Sequence, residues 1–106
     1  MWDANGTSLS MAEGDYGIAL PFTINGIVFS DGDSILFTFK DAPNGETILT
    51  KEYSELVNNA SELELTESES ELFPVGTYFY SLDWYKDGIF MCNIIPQAIL
   101  RVVDKT

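Results

Sequence analysis

Apolar side chains recur at every second residue along much of this chain. In one stretch Ile18, Leu20, Phe22 and Ile24 are apolar, and polar or small residues stand between them. A period of two residues is typical of a β-strand, whose successive side chains point to opposite faces. The same pattern predicts strands near residues 8–12, 18–25, 34–40, 47–53, 62–65, 76–85, 89–92 and 99–103. The chain is therefore expected to be all-β.

Turn signals separate these segments. Asp31-Gly32-Asp33, Ala42-Pro43-Asn44-Gly45 and Lys86-Asp87-Gly88 each carry residues that favour tight turns. One short helical turn is predicted near 67–72, because Thr66 and Glu69 stand at capping-box spacing. About seven or eight short antiparallel strands in 106 residues fit a β-sandwich or barrel formed by one domain, residues 1–106.

The charge is strongly one-sided. The chain has seventeen acidic and five basic side chains, and its formal net charge is −12. Such a chain repels polyanions, so neither nucleic acid nor an anionic membrane is an expected partner. Met1–Gly6 contains neither a basic region nor an apolar run, so no signal peptide is expected and the predicted location is the cytoplasm. Cys92 lies in an apolar run, which predicts a buried thiol.

Little in the sequence points to catalysis. Histidine is absent and there is a single cysteine, which removes the commonest general base and the usual zinc ligands. We therefore predict no catalytic, cofactor-binding or metal-binding residues, and no small-molecule ligand. Paired carboxylates at Asp31 and Asp33, or at Glu67, Glu69 and Glu71, are the enzymatic alternative. A structural calcium ion bound by the oxygen atoms of Asp31-Gly32-Asp33-Ser34 is a further alternative.

The aromatic residues divide into two groups. Tyr78, Tyr80 and Trp84 alternate with polar residues along one predicted strand, so they are expected to face the core. Trp2, Phe79 and Tyr85 are then the aromatic side chains expected nearest the surface. If exposed together, they would form a contact patch for a protein partner.

The most informative motif is Leu72-Phe73-Pro74-Val75-Gly76-Thr77-Tyr78. Leu72 and Pro74 end a connecting turn, Gly76 opens a strand, and Tyr78 follows two residues later. This resembles the tyrosine corner of immunoglobulin-like sandwiches, in which the phenol bonds back to the backbone. The resemblance implies an immunoglobulin-like β-sandwich with Leu72, Pro74, Gly76 and Tyr78 as a structural corner.

Longer motifs carry a second resemblance. They are Glu13-Gly14-Asp15-Tyr16, Asp31 to Lys40, Ile48-Leu49-Thr50-Lys51, Leu65-Thr66-Glu67-Ser68-Glu69, Pro74 to Trp84, Asp87-Gly88 and Arg101 to Thr106. This arrangement is similar to small immunoglobulin-like proteins of phage and prophage tail and baseplate gene clusters, such as the N-terminal domain of the upper baseplate protein. Val75 departs from the family, in which the proline and glycine are adjacent.

The baseplate resemblance implies a non-enzymatic structural module that acts by protein–protein contact. Its partners are expected to be other protein subunits, either copies of itself or tail and baseplate proteins, and its final location the virion. The alternative is an immunoglobulin-like adhesion or carbohydrate-binding module of a bacterial surface. An enzyme using paired carboxylates is the third class.

Overall fold

A computed structural model describes residues 3–5, 8–14, 20–23, 30–54, 56 and 60–104 of the chain. Most of the described part is β-structure and its one helix has four residues, which agrees with the prediction of an all-β chain. In chain order its elements are β1 (Asp3–Asn5), β2 (Ser8–Ala12), β3 (Leu20–Thr23), β4 (Asp33–Lys40), β5 (Thr47–Tyr53), β6 (Ala60–Leu63), α1 (Glu67–Ser70), β7 (Gly76–Lys86) and β8 (Ile89–Val103).

Two sheets form from these strands. The larger has six strands in the order β1-β2-β8-β7-β4-β5, and the smaller pairs β3 with β6. The prediction of antiparallel pairing throughout is wrong at one place, since β2 runs parallel to β8. A parallel pair needs a long connection, and here most of the chain separates the two strands. The immunoglobulin-like topology stays a prediction.

The inner face of the large sheet is built by β4 and β7. Ile35, Phe37 and Phe39 of β4 are buried, and the residues between them are half-buried on the opposite face. In the register with β7, Phe37 lies opposite Leu82 and Phe39 opposite Tyr80. The predicted two-residue period is thus present in both central strands, and their inward side chains form one continuous apolar floor.

The smaller sheet and the chain after α1 cover this floor. The Phe22 ring of β3 lies 5.4 Å from the Phe37 ring, and the Phe73 ring lies 5.6 Å from the Phe39 ring. Leu63 and Leu65 are fully buried in the same apolar cluster. Burying each such side chain contributes roughly 1.5–3 kcal/mol. The core therefore lies between two layers.

The helical turn is shorter than predicted but is capped as expected. The Thr66 hydroxyl accepts from the Glu69 backbone N–H at 3.2 Å, and the Glu69 carboxylate accepts from the Thr66 N–H at 2.9 Å. Lys51 of β5 donates to the same carboxylate at 2.8 Å. The ion pair between Lys51 and Glu69 therefore holds α1 next to β5, which is an edge strand of the large sheet.

The predicted corner has the expected hydrogen bond but a different apolar contact. The Tyr78 hydroxyl donates to the Pro74 carbonyl at 2.6 Å. The Phe73 ring packs edge-on against the Tyr78 ring at 5.1 Å and is fully buried, whereas Leu72 is 45% exposed. Leu72 therefore takes no part in the packing at the corner. The chain leaves α1 with Phe73, and not Leu72, facing the core.

The neighbouring residues Phe73 and Leu72 provide a matched test of this packing. We expect Phe73→Ala to lower the free energy of unfolding by about 3–5 kcal/mol, because it leaves a cavity beneath Phe39 and Tyr78. Leu72→Ala is expected to change it by no more than about 0.5 kcal/mol, since that side chain is exposed. Urea denaturation followed by tryptophan fluorescence measures both. Equal losses in the two variants would contradict the assignment.

Candidate protein contact site

The longest strands of the chain form one hairpin. β7 has 11 residues and β8 has 15, and they are joined by Asp87 and Gly88. Both turn residues have positive φ angles, 51° and 79°. Such a pair of left-handed residues is typical of the type I′ turn that matches the twist of two antiparallel strands. The predicted turn at Lys86-Asp87-Gly88 is thus present, and β8 returns directly beside β7.

Among the described residues, β8 has a neighbouring strand on its far side at one end only. β2 pairs with residues from Leu100 to Val103, and no described residue pairs with the outer edge of Ile89–Ile99. Near the turn the side chains are well exposed: Ile89 by 67%, Phe90 by 51% and Met91 by 45%. Cys92 is exposed too. We refer to Ile89, Phe90, Met91 and Cys92 as the apolar strip.

The strip was not predicted as a surface. The prediction of a buried Cys92 thiol is wrong, because the run Ile89–Cys92 lies beyond the part of β8 that β2 covers. The sequence also suggested two strands separated by Pro96, whereas β8 is continuous from Ile89 to Val103. Pro96 is exposed and is not paired with a residue of β7. Its lack of a backbone N–H therefore removes no hydrogen bond between the two strands.

Bulges interrupt the alternation of β8. Trp84 pairs with Cys92 and the next β7 residue, Tyr85, pairs with Phe90, so β8 has one extra residue, Met91, at this point. Likewise, Leu82 pairs with Ile95 and Asp83 pairs with Asn93, so Ile94 is a second extra residue in β8. An extra residue shifts the side chains that follow to the other face. Apolar side chains therefore lie on both faces of the hairpin end.

A buried carboxylate holds the base of this hairpin end. Asp33 is 3% exposed and accepts from the Ser30 N–H at 2.9 Å, and the Lys86 ammonium lies 3.5 Å away. The Asp87 N–H also donates to the Gly32 carbonyl at 2.7 Å. Gly32 has a φ of 91°, and a Cβ there would lie 2.2 Å from the Asp87 carboxylate. The two turns thus fit together closely.

These contacts change the acidity of Asp33. Hydrogen bonding by the Ser30 N–H lowers the pKa of the Asp33 carboxyl; burial acts in the opposite direction, and the Lys86 charge lowers it further. The net effect is a pKa below the ordinary 3.8. The ionised form is therefore the one that stabilises the fold.

The structure separates the aromatic residues predicted as a contact patch. Phe79 and Tyr85 lie on the outer face of the large sheet and are half-buried, six residues apart on β7, which is about 20 Å along a strand. Trp2 lies outside the described residues. Tyr85 contacts Phe90 instead, with ring centres 5.7 Å apart at 73°. Because the Tyr85 and Phe90 rings meet edge to face, they do not form together a flat aromatic surface on which a sugar ring could stack.

The carboxylates considered for catalysis are divided between different surroundings. Asp33 is buried with Ser30 and Lys86, while Asp31 is exposed. Glu69 belongs to the capping box, and Glu67 and Glu71 are exposed on either side of it. Within the described ranges, no group of three or more cysteine, aspartate or glutamate side chains could hold a metal ion. In that same part of the chain, no helix is long and apolar enough to cross a membrane.

Comparison with protein-family models, with curated proteins and with solved structures found no match to this chain. The feature that bears on function is the hairpin end, where an apolar strip is exposed and the turn at its base is held by the contacts of buried Asp33 with Ser30 and with the exposed Lys86.

The role of Asp33 can be tested through pH. Because its pKa is lower in the folded state, the stabilisation is complete above the unfolded pKa and is lost as pH falls through the folded pKa. We expect Asp33→Asn to lower the melting temperature at pH 7, and we expect its gap from wild type to narrow as pH falls below the ordinary carboxyl pKa of 3.8. Thermal unfolding between pH 2 and pH 7 measures this, with exposed Asp31→Asn as the control. A gap that is constant with pH would contradict the assignment.

Proposed function

We propose that this chain is a non-enzymatic structural module that assembles with protein subunits through the apolar strip of the β7–β8 hairpin. The observation that carries the proposal is the exposure of the consecutive residues Ile89, Phe90 and Met91 at the end of the longest strands. Contiguous exposed apolar side chains on a small protein favour a protein contact. The strip is also well suited to one, since its backbone is fixed by pairing with β7.

The charge distribution supports the same proposal. The chain carries 17 acidic residues, but none of them falls between Gly88 and Val103. Interface centres are depleted of charged side chains and enriched in aromatic residues and methionine. The strip has that composition, with Phe90 and Met91 at its middle and Tyr85 beside it.

The kind of assembly follows from the resemblance to phage tail and baseplate proteins. We propose that the chain is a tail or baseplate component, made in the bacterial cytoplasm and then built into the virion. An immunoglobulin-like sandwich suits this role, because its sheet edges and hairpin ends offer contact surfaces around a stable core. The two-layer core and the hydrogen bond of Tyr78 to Pro74 support the sandwich part of the proposal.

Particle composition tests the proposed function. In a strain that carries the gene, we expect the chain to co-purify with tails or virions after induction, in a fixed ratio to another tail protein. Phe90→Glu is expected to lower its incorporation at least about tenfold, because a carboxylate without a partner is costly at a desolvated contact. Quantitative mass spectrometry of purified particles measures both results.

Val75→Glu is the matched control for this experiment. Val75 is 52% exposed, compared with 51% for Phe90, and the substitution changes the net charge equally. We expect that variant to be incorporated like the wild type, and both variants to keep the wild-type melting temperature. Absence of the chain from particles, or equal incorporation of the two variants, would count against the proposal.

A further inference from the structure

The apolar strip is bordered by carboxylates. Asp87 lies in the turn that precedes the strip and is exposed. Its backbone N–H donates to the Gly32 carbonyl, which brings the neighbouring exposed residue Asp31 to the same end of the sheet. At the far end of the strip, Asp83 of β7 is paired opposite Asn93 and accepts a hydrogen bond from its side chain. Negative charge is therefore present at both ends of the strip.

The described part of the chain holds no basic side chain that could balance this border. Lys86 is the nearest in sequence, but its ammonium lies 3.5 Å from the buried carboxylate of Asp33. Lys51 is ion-paired at the β5 edge of the large sheet. Lys40 lies at the end of β4 away from the hairpin turn, and Arg101 lies where β2 pairs with β8. The border of the strip thus keeps a net negative charge.

A contact on the strip brings these carboxylates to its rim. Removing water from an ionised carboxylate is costly unless an opposite charge takes the place of the water. An uncharged apolar surface supplies no such charge, and a second copy of this chain adds the repulsion between two net charges of −12. A surface with lysine or arginine side chains at its own rim pairs with the carboxylates instead. Opposite charges around an apolar contact also fix the register of the two surfaces.

The backbone of β8 is poorly suited to an added strand. A strand that extends a sheet needs regularly spaced N–H and C=O groups along the free edge. Here the extra residues Met91 and Ile94 interrupt that spacing, and Pro96 lacks an N–H. The contact is therefore made by side chains, which favours a folded partner surface over an extended peptide.

From these observations we infer that the partner of the apolar strip is a different subunit with a basic rim. Its contact surface is apolar and is bordered by lysine or arginine side chains that pair with Asp87 and Asp83. The inference rests on the proposed function, since it names the chemical class of the partner at the same surface. The apolar side chains of Ile89, Phe90 and Met91 supply most of the affinity, and the border carboxylates supply the orientation.

Two synthetic amphipathic helices test the inference on the purified chain. Both carry leucine on one face, and the opposite face carries lysine in one peptide and glutamate in the other. We expect the lysine peptide to shift the backbone amide NMR signals of residues 83–93, and we expect the glutamate peptide to leave them unchanged. Phe90→Ser is expected to weaken binding of the lysine peptide at least about tenfold, because it removes a large apolar contact.

Asp87→Asn and Glu46→Gln are a matched pair for the charge. Each removes one carboxylate from an exposed residue, and asparagine tolerates the positive φ of residue 87 as aspartate does. Glu46 precedes Thr47, which pairs with Lys40 at the end of β4 away from the hairpin turn. We expect Asp87→Asn to weaken binding of the lysine peptide about two- to fivefold, as for an exposed ion pair. Glu46→Gln is expected to have no effect at physiological salt, which screens distant charges.

Several results would overturn the inference. They are equal binding of the two peptides, equal effects of Asp87→Asn and Glu46→Gln, and signal shifts centred on β5, β6 or α1. A dimer of the purified chain, seen by light scattering and disrupted by Phe90→Ser, would overturn it as well, because a second copy would then cover the strip.

Competition within particles separates this inference from the proposed function. With wild type and Asp87→Asn co-expressed in one cell, we expect the variant to be under-represented about two- to fivefold in purified particles. Glu46→Gln is expected to be incorporated like the wild type. A chain that is absent from particles but binds the lysine peptide at the strip refutes the tail role and keeps the basic-rimmed partner. Incorporation that depends on Phe90 but not on Asp87 keeps the structural role and overturns the basic rim.

Discussion

The pairing of β4 with β7 is the constraint on which the rest of the structure depends. It joins residues 33–40 to residues 79–86 without interruption, so the inward side chains of both strands meet on one face. At one end the pairing brings the exposed Lys86 beside the buried Asp33. The core and the base of the hairpin are thus two consequences of a single register. A slip of one residue would place Phe37 and Leu82 on opposite faces of the sheet and separate Asp33 from Lys86.

The apolar strip follows from a difference in strand length. β8 is 15 residues long, but β2 pairs with its last four residues only. Sheets commonly protect free edges by bulges, proline or charge. This edge has bulges and Pro96 but no charged side chain between Ile89 and Ile95. The backbone is therefore protected against strand addition, while the side chains stay available for a contact. That combination favours a defined interface over open-ended sheet growth.

The sequence predicted the parts of the fold that local patterns determine. Alternation placed the central strands, the Asp87-Gly88 pair gave the hairpin turn, and Thr66 with Glu69 gave the cap of α1. The contact site was largely missed. The exposure of Phe90 and Cys92 depends on how far β2 runs along β8, and these strands are separated by most of the chain. Likewise, the choice between Leu72 and Phe73 depends on where α1 ends, and a one-residue difference decides which side chain faces the core.

The distribution of charge separates the apolar strip from most of the acidic side chains. Nine of the 17 acidic residues lie between Asp41 and Glu71, the segment that contains β5, β6 and α1. The apolar strip lies on β8, with β7 and β4 between it and β5 in the sheet order. A partner on the strip, as we propose, therefore does not have to cover those carboxylates. Because they stay hydrated, a contact through the strip avoids the free-energy cost of desolvating them.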